Sequence, residues 1–318
     1  MTVDRHASQP IQDVAFIIYN YTTKLLLKKQ LDFFRKSELA FSYSLTVVDD
    51  ASLDGSRELL QTYPAVNSVI LDCSQGVGRA FNRGLAAAPK SRYVCLLQTD
   101  VNLAAKTLES LVRHCDAHQD VKVCAPIIRF PWGHPQKFIF NPKLLTMYSG
   151  SFDKSASKSI ARKLQSTQQP VRVAGIIGPF LFCSRELVVD DRLYDEGFRQ
   201  YFCDMELAHR LLRQGVACEV LTNCSLVRLG GQTSFIRDPE LYFSMKYRYV
   251  ERFYGQRHAR LSLRRDLLRA RFKAFSYGIL NRIAPSSKLT FQIERYADLS
   301  GSLRNVQKHV ACLSGGTE

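Results

Sequence analysis

The chain has 318 residues, 46% of them hydrophobic and 23% charged, a length and apolar content that suit one large α/β domain or a domain with an appendage and exclude a disordered chain. No apolar run approaches the roughly 20 residues that a spanning helix needs, and residues 1–13 have neither a basic flank nor an apolar core of the signal-peptide kind; the expected location is cytoplasmic, with membrane association only from the surface. The formal charge of +15 requires an anionic partner.

The nine cysteines are odd in number and form no CxxC pair, so reduced, buried thiols are expected. The charge is unevenly placed. Between residues 246 and 273 ten cations face two acids, Glu251 and Asp266. The basicity thus belongs mainly to the C-terminal region, whose natural partners are lipid headgroups, nucleic acid or phosphorylated ligands.

In chain order, residues 14–18 (VAFII) read as a buried strand, followed by a polar turn in which Thr22 or Thr23 can cap a helix carrying Leu27, Leu31 and Phe34. A second strand ends at Asp49, and Asp54 or Ser56 opens a short helix. A third strand at 68–71 leads through a glycine-bearing turn into a helix with Phe81 and Leu85. A fourth strand at 93–97 stops before Asp100, a helix covers about 104–118, and a fifth strand spans 121–126. Strands alternating with helices at this spacing predict a mostly parallel sheet with helices on both sides.

At Phe130 the pattern breaks into a polar stretch, SGSFDKSASKSIARKLQSTQQP, which is expected to be a loop over a site. Strands follow at 171–174 and 178–183, then an acidic and aromatic block at 194–206, a helix with Leu207, Leu211 and Leu212, and strands at 216–221 and 225–229. Residues 241–282 read as one basic amphipathic helix in which Leu261, Leu263, Leu267, Leu268, Phe272 and Phe275 oppose the arginines. Such a helix can lie on an anionic membrane surface or dock on its own domain.

Asp49, Asp50 and Asp54, with Asp100 and Asn102, stand at the ends of two predicted strands. Carboxylates there can accept hydrogen bonds from a base or ribose, or hold a cation that bridges phosphates; Asp54 can equally be a helix cap. His114 and His118 lack a third metal ligand, and Gly76-Val77-Gly78 is no dinucleotide fingerprint because Phe81 takes the place of its third glycine.

VDDASLDGS, QGVGRAFNRG, TDVNL, GPFLFCSRE, YDEGFRQYFCDMEL and LVRLGGQTS occur in this order over about residues 14–254. Together they resemble family 2 nucleotide-sugar glycosyltransferases of the GT-A fold, in their rhamnosyltransferase-like branch. The resemblance implies a tail at 1–13 and a GT-A domain at 14–240. Within that domain, 14–126 is the nucleotide-binding half, 127–170 a loop insertion and 171–240 the acceptor and catalytic half; a basic helical region follows at 241–318. It further implies that Asp49 bonds the nucleotide base, that Asp50 lies near the ribose, that Asn82 and Gly84 line the nucleotide, and that Asp100 begins the DxD-like motif, with Asn102 beside it. Asp204 matches the general base that deprotonates the acceptor hydroxyl, with Glu206 in reserve.

The function so implied is inverting transfer from a nucleotide-diphospho-sugar to a hydroxyl of a glycan or lipid-linked acceptor. A divalent cation, Mg²⁺ or Mn²⁺, would be held by Asp100. Three departures bear on it: Asn102 replaces an acid, Cys203 stands where the family often has one, and Arg228 precedes Gly230-Gly231 where many relatives carry a metal-binding histidine. They predict that Arg228 contacts the diphosphate and that metal dependence is weak; the alternative pairs Arg228 with an acid outside the site. A nucleotidyltransferase on a similar fold and a basic nucleic-acid-binding module are the competing functions, and nucleic acid is the less expected partner because the acids cluster apart from the cations.

Overall fold

A computed structural model describes residues 11–140, 142, 162–164, 166–229 and 238–314. The polar stretch 143–161 and the Gly230-Gly231 turn lie outside the described residues. The chain divides into two compact units: one contains every described strand and the helices up to Arg213, and the other contains the described helices from Pro239 on.

In the first unit the described residues form β1 (Gln12–Asn20), α1 (Lys24–Lys36), β2 (Tyr43–Asp49), α2 (Ser56–Gln61), β3 (Asn67–Ile70), α3 (Val77–Ala87), β4 (Ser91–Gln98), β5 (Val101–Asn102), α4 (Ala105–Ala117) and β6 (Val121–Arg129). These are followed by β7 (Val171–Val173), β8 (Phe180–Ser184), α5 (Cys203–Arg213) and β9 (Ala217–Arg228). The sheet runs in the order β3-β2-β1-β4-β8-β6-β9-β5, with β7 also paired to β9.

The β1/β2, β1/β4, β2/β3 and β6/β9 pairs are parallel, whereas β4/β8, β6/β8, β5/β9 and β7/β9 are antiparallel. The sheet is therefore mixed, not mostly parallel. The alternation that signals parallel pairing ends at β6; β8 then enters between β4 and β6 and runs antiparallel to both.

The core lies where strands are covered on both faces, as unbroken apolar runs require. Val14, Ala15, Phe16, Ile17 and Ile18 of β1 are all fully buried. Residues 127–129 continue β6, and Phe138 and Phe140 are buried, so the insertion expected from 127 begins as strand and core. The two strands expected at 216–229 are the single strand β9, whose register against β6 shifts between Pro126 and Ile127.

Gly84 sits mid-helix in α3, where glycine costs stability, because a Cβ there would lie 2.3 Å from Ile17 Cγ2 and 2.8 Å from Val48 Cγ2. The missing side chain lets α3 approach the sheet. Gly84→Ala should therefore lower stability by about 1–3 kcal/mol through overpacking, exceeding the roughly 0.5–1 kcal/mol that alanine adds to helix propensity. Thermal denaturation reads this as a lower Tm.

Candidate active site

The strand order reverses between β1 and β4, and open α/β sheets bind ligands outside the carboxyl ends of the strands at such a switch point. Asn20, Asp49 and Gln98 end the three neighbouring strands there. A charge in this buried position needs hydrogen-bond partners, and the partners of each aspartate define what it can do.

Asp49 is fully buried. Its Oδ2 accepts from Asn20 Nδ2 at 2.7 Å, its Oδ1 accepts from the Ser52 N–H at 2.9 Å, and Arg57 Nε lies 3.6 Å from Oδ1. Asp50, also fully buried, accepts from Tyr19 Oη, Ser74 Oγ and the N–H groups of Gln75 and Gly76 at 2.7–3.1 Å. The pair thus holds the turn after β2 and the loop entering α3. Gly76 belongs to that loop; its φ is +84° and a Cβ would meet the Arg199 carbonyl oxygen at 2.4 Å. Asp54 is a cap: its Oδ2 accepts from the Lys24 N–H at 2.7 Å at the start of α1, and neither Thr22 nor Thr23 caps that helix with its side chain.

Asn82, expected to line the nucleotide, is engaged by protein partners. Its Oδ1 accepts from the N–H groups of Leu193 and Tyr194, and its Nδ2 donates to the Tyr194 carbonyl and Glu196 Oε1. With both donor and both acceptor positions engaged, it clamps residues 193–196 onto α3.

Asp100 is buried in the turn between β4 and β5. Its Oδ2 accepts from Arg228 Nε at 2.8 Å, and its carbonyl accepts from the Leu229 N–H at 3.0 Å. Antiparallel pairing of Val101 with Arg228 and of Asn102 with Val227 fixes this register. Arg228 Nη2 also reaches Gln98 Oε1 at 3.4 Å. Arg228 is therefore paired with an acid of the candidate site itself.

The sequence reading missed Gln30. It shares the buried face of α1 with Leu27, Leu31 and Phe34, and its Nε2 donates to the carbonyls of Gln98 and Val101 at 2.8 and 2.9 Å, holding the turn that carries Asp100. A lone amide on an apolar helix face was the available signal.

Asp204 stands in the first turn of α5. Its Oδ2 accepts from the Gly178 N–H at 2.9 Å and its Oδ1 from the Met205 N–H at 2.8 Å. The protein packed round it raises its pKa above the ordinary 3.8, while those N–H groups and the charge of Arg228 oppose the rise. Glu206 is fully buried and paired with Arg210 Nε at 3.1 Å, which removes it as the reserve base. Cys203 is buried, and burial pushes its thiol pKa up.

Backbone strain gathers here. Among the described residues, Ala51 and Phe202 are two of the five non-glycine positions with positive φ; the first directly follows Asp50 and the second stands two before Asp204, each at a cost of order 1–3 kcal/mol.

A divalent cation would need several hard oxygen ligands. Asp100 Oδ1 is buried without a hydrogen-bond partner, as a metal-ligating oxygen could be. The remaining donors do not fit: Oδ2 is bonded to a guanidinium, Asn102 is a neutral amide, and no three His, Cys, Asp or Glu side chains group to hold a metal among the described residues. Arg228 would also repel a second cation on that carboxylate.

This mixed sheet, with its switch point between β1 and β4, has the GT-A type of α/β fold. The family model described as "Glycosyl transferase family 2" matches residues 15–186, and the chain belongs to that family. No curated protein matches the sequence at a significant level.

Among solved structures, the chain is similar to GalNAc-T7 with UDP, GalNAc and Mn²⁺ (13% identity, TM-score 0.56, 91% of this chain and 55% of that one). It is also similar to a mannosyltransferase from Pyrobaculum calidifontis in complex with GDP-Man and Mn²⁺ (14%, TM-score 0.54, 94% and 88%). A third is S. aureus TarS 1-349 in complex with UDP-GlcNAc (16%, TM-score 0.52, 92% and 81%). The chain spans about half the length of the GalNAc-T7 chain. At these identities the likeness establishes the fold.

Removing the guanidinium should leave Asp100 buried without its cation. Arg228→Met is expected to cost about 3 kcal/mol, and Asp100→Asn in the same chain should recover much of it, as a double-mutant cycle in urea would read.

Proposed function

We propose that this chain transfers a glycosyl group from a nucleotide-diphospho-sugar to a hydroxyl of a glycan or lipid-linked acceptor, with inversion. The observation that carries the reading is the trio of Asp204, Arg228 and Asp100: a carboxylate with a raised pKa, close enough to feel the charge of a guanidinium, which is itself held on the acid of the DxD-like motif.

In this reading the nucleoside end of the donor lies against the loops that Asp49 and Asp50 hold, and its diphosphate meets Arg228. A guanidinium carries five N–H donors, so it can share its charge between Asp100 and phosphate oxygens. The acceptor oxygen attacks the anomeric carbon on the face opposite the diphosphate. Its proton passes to Asp204, the bond from anomeric carbon to phosphate oxygen breaks, and the nucleoside diphosphate leaves with the electron pair. Burial makes Asp204 a stronger base than an exposed aspartate, provided the pH lies above its raised pKa.

UDP- and GDP-sugars are the first donors to test, because similar structures contain UDP, UDP-GlcNAc and GDP-Man. A dTDP-deoxysugar joins them on the rhamnosyltransferase-like motifs alone. Release of nucleoside diphosphate supports glycosyl transfer, whereas release of pyrophosphate would indicate the nucleotidyltransferase alternative.

Asp204→Asn should lower kcat by roughly 10²–10⁴-fold with the donor KM little changed. In the native enzyme kcat/KM should rise with pH through an apparent pKa above 3.8. Because the positive charge of Arg228 favours ionised Asp204, Arg228→Met should move this limb to higher pH. An acid limb that persists in Asp204→Asn would place the base elsewhere.

A further inference from the structure

The second unit consists, among the described residues, of α6 (Pro239–Tyr254), α7 (Gln256–Ile283) and α8 (Ser287–Ser314). The single helix expected at 241–282 is broken at Gly255, whose φ is +90°. α7 and α8 form an antiparallel hairpin, with Asn281 Nδ2 donating to Thr290 Oγ1 and Tyr277 stacked on Tyr296 at 5.7 Å.

The apolar residues of α7 do not share one face. Ala259, Leu263 and Ala270 are buried, and Asp266 is paired inward with Lys246 at 2.6 Å. Leu261, Leu268, Phe272, Phe275, Ile279 and Ile283 are 43–76% exposed. At 3.6 residues per turn those six lie within roughly 40° of one line along the helix. Arg260, Arg264, Arg271 and Arg282 follow on one flank, and Arg265, Arg269 and Lys273 on the other. Beyond the hairpin tip, Phe291 is exposed as well.

We infer that this face of α7 is a docking surface for an anionic phospholipid bilayer, lying flat with its apolar ridge among the acyl chains and its cations at the headgroups. Charge and shape select this occupant. α7 carries eight cations and one acid, Asp266, and that acid is on the inward face. A second copy of the same helix would set rows of arginine against each other. Nucleic acid would be recognised by the cations, but the ridge of leucine and phenylalanine between them would be pressed on phosphates. No helix among the described residues is long and apolar enough to cross a membrane, so the contact is with the surface. This inference does not depend on the transfer reaction.

Flotation of the full chain with phosphatidylcholine vesicles, and with vesicles that also contain about a third phosphatidylglycerol, tests it. Binding is expected to the anionic vesicles only and to weaken with salt. Each cation near such a surface contributes roughly fivefold in partitioning, so Arg264→Gln/Arg269→Gln/Arg271→Gln should lose on the order of 100-fold. Phe272→Ser/Phe275→Ser/Ile279→Ser should lose at least about tenfold. Amide hydrogen exchange of the unaltered chain supplies a readout independent of variant folding, with slowed exchange across 261–283 expected on adding anionic vesicles. Absence of binding by the native chain, or binding that neither variant weakens, would overturn the inference. So would a dimer in light scattering that the apolar variant splits, because it would assign the ridge to a second copy.

Discussion

A carboxylate buried at the end of a strand must be given donors or it will not stay charged, and the candidate site is organised by how each aspartate meets that requirement. Asp49 and Asp50 are met mainly by neutral side chains and backbone N–H groups from the neighbouring turns, with Arg57 at 3.6 Å from Asp49, so they fold those turns onto the sheet edge. Asp100 is met by a full cation, Arg228. Asp204 receives backbone N–H groups and a more distant positive charge, and the protein packed round it raises its pKa. Similar residues at one edge thus acquire different capacities: two shape the floor, one fixes a cation, and one can take up a proton.

The Arg228–Asp100 pair is set by the strand register beneath it. β5 exists to hold it: two residues long, it pairs Val101 with Arg228, while Gln30 secures the turn just before. A metal site demands open carboxylate oxygens around a vacant centre. Here a side-chain cation is built into the sheet, and it stays in place whatever the metal supply.

The first half of the fold was legible because its signals are local. Apolar runs alternating with amphipathic helices specify β1 to β4 and β6 with their connecting helices, while the two-residue β5 carries no such signal, and the run at 14–18 is fully buried. Sheet polarity after β6 was not legible, since β8 enters between β4 and β6 and runs antiparallel to both, a long-range placement with no local signal. The site was legible as a set of residue types and not as contacts. Asn82 and Gly84 stand in a motif that resembles a nucleotide-lining turn, yet one clamps residues 193–196 and the other clears room for Ile17 and Val48. Which acid Arg228 would meet depends on β9 lying antiparallel to β5, which brings Arg228 to an acid 128 positions away in sequence. In α7 the leucines and phenylalanines were visible as amphipathic, but which of them turn inward depended on the packing of the helices.

The central claim is that Arg228, not a divalent metal, carries the phosphate end of the donor site. Calorimetric titration of UDP, GDP and dTDP into the full chain, in chelator and again with Mn²⁺, tests it most directly. The account predicts that at least one nucleotide binds in chelator nearly as tightly as with Mn²⁺, and that Arg228→Met weakens it roughly tenfold or more, the worth of a charge-assisted hydrogen bond. Binding that appears only with Mn²⁺ and is unchanged in Arg228→Met would contradict it.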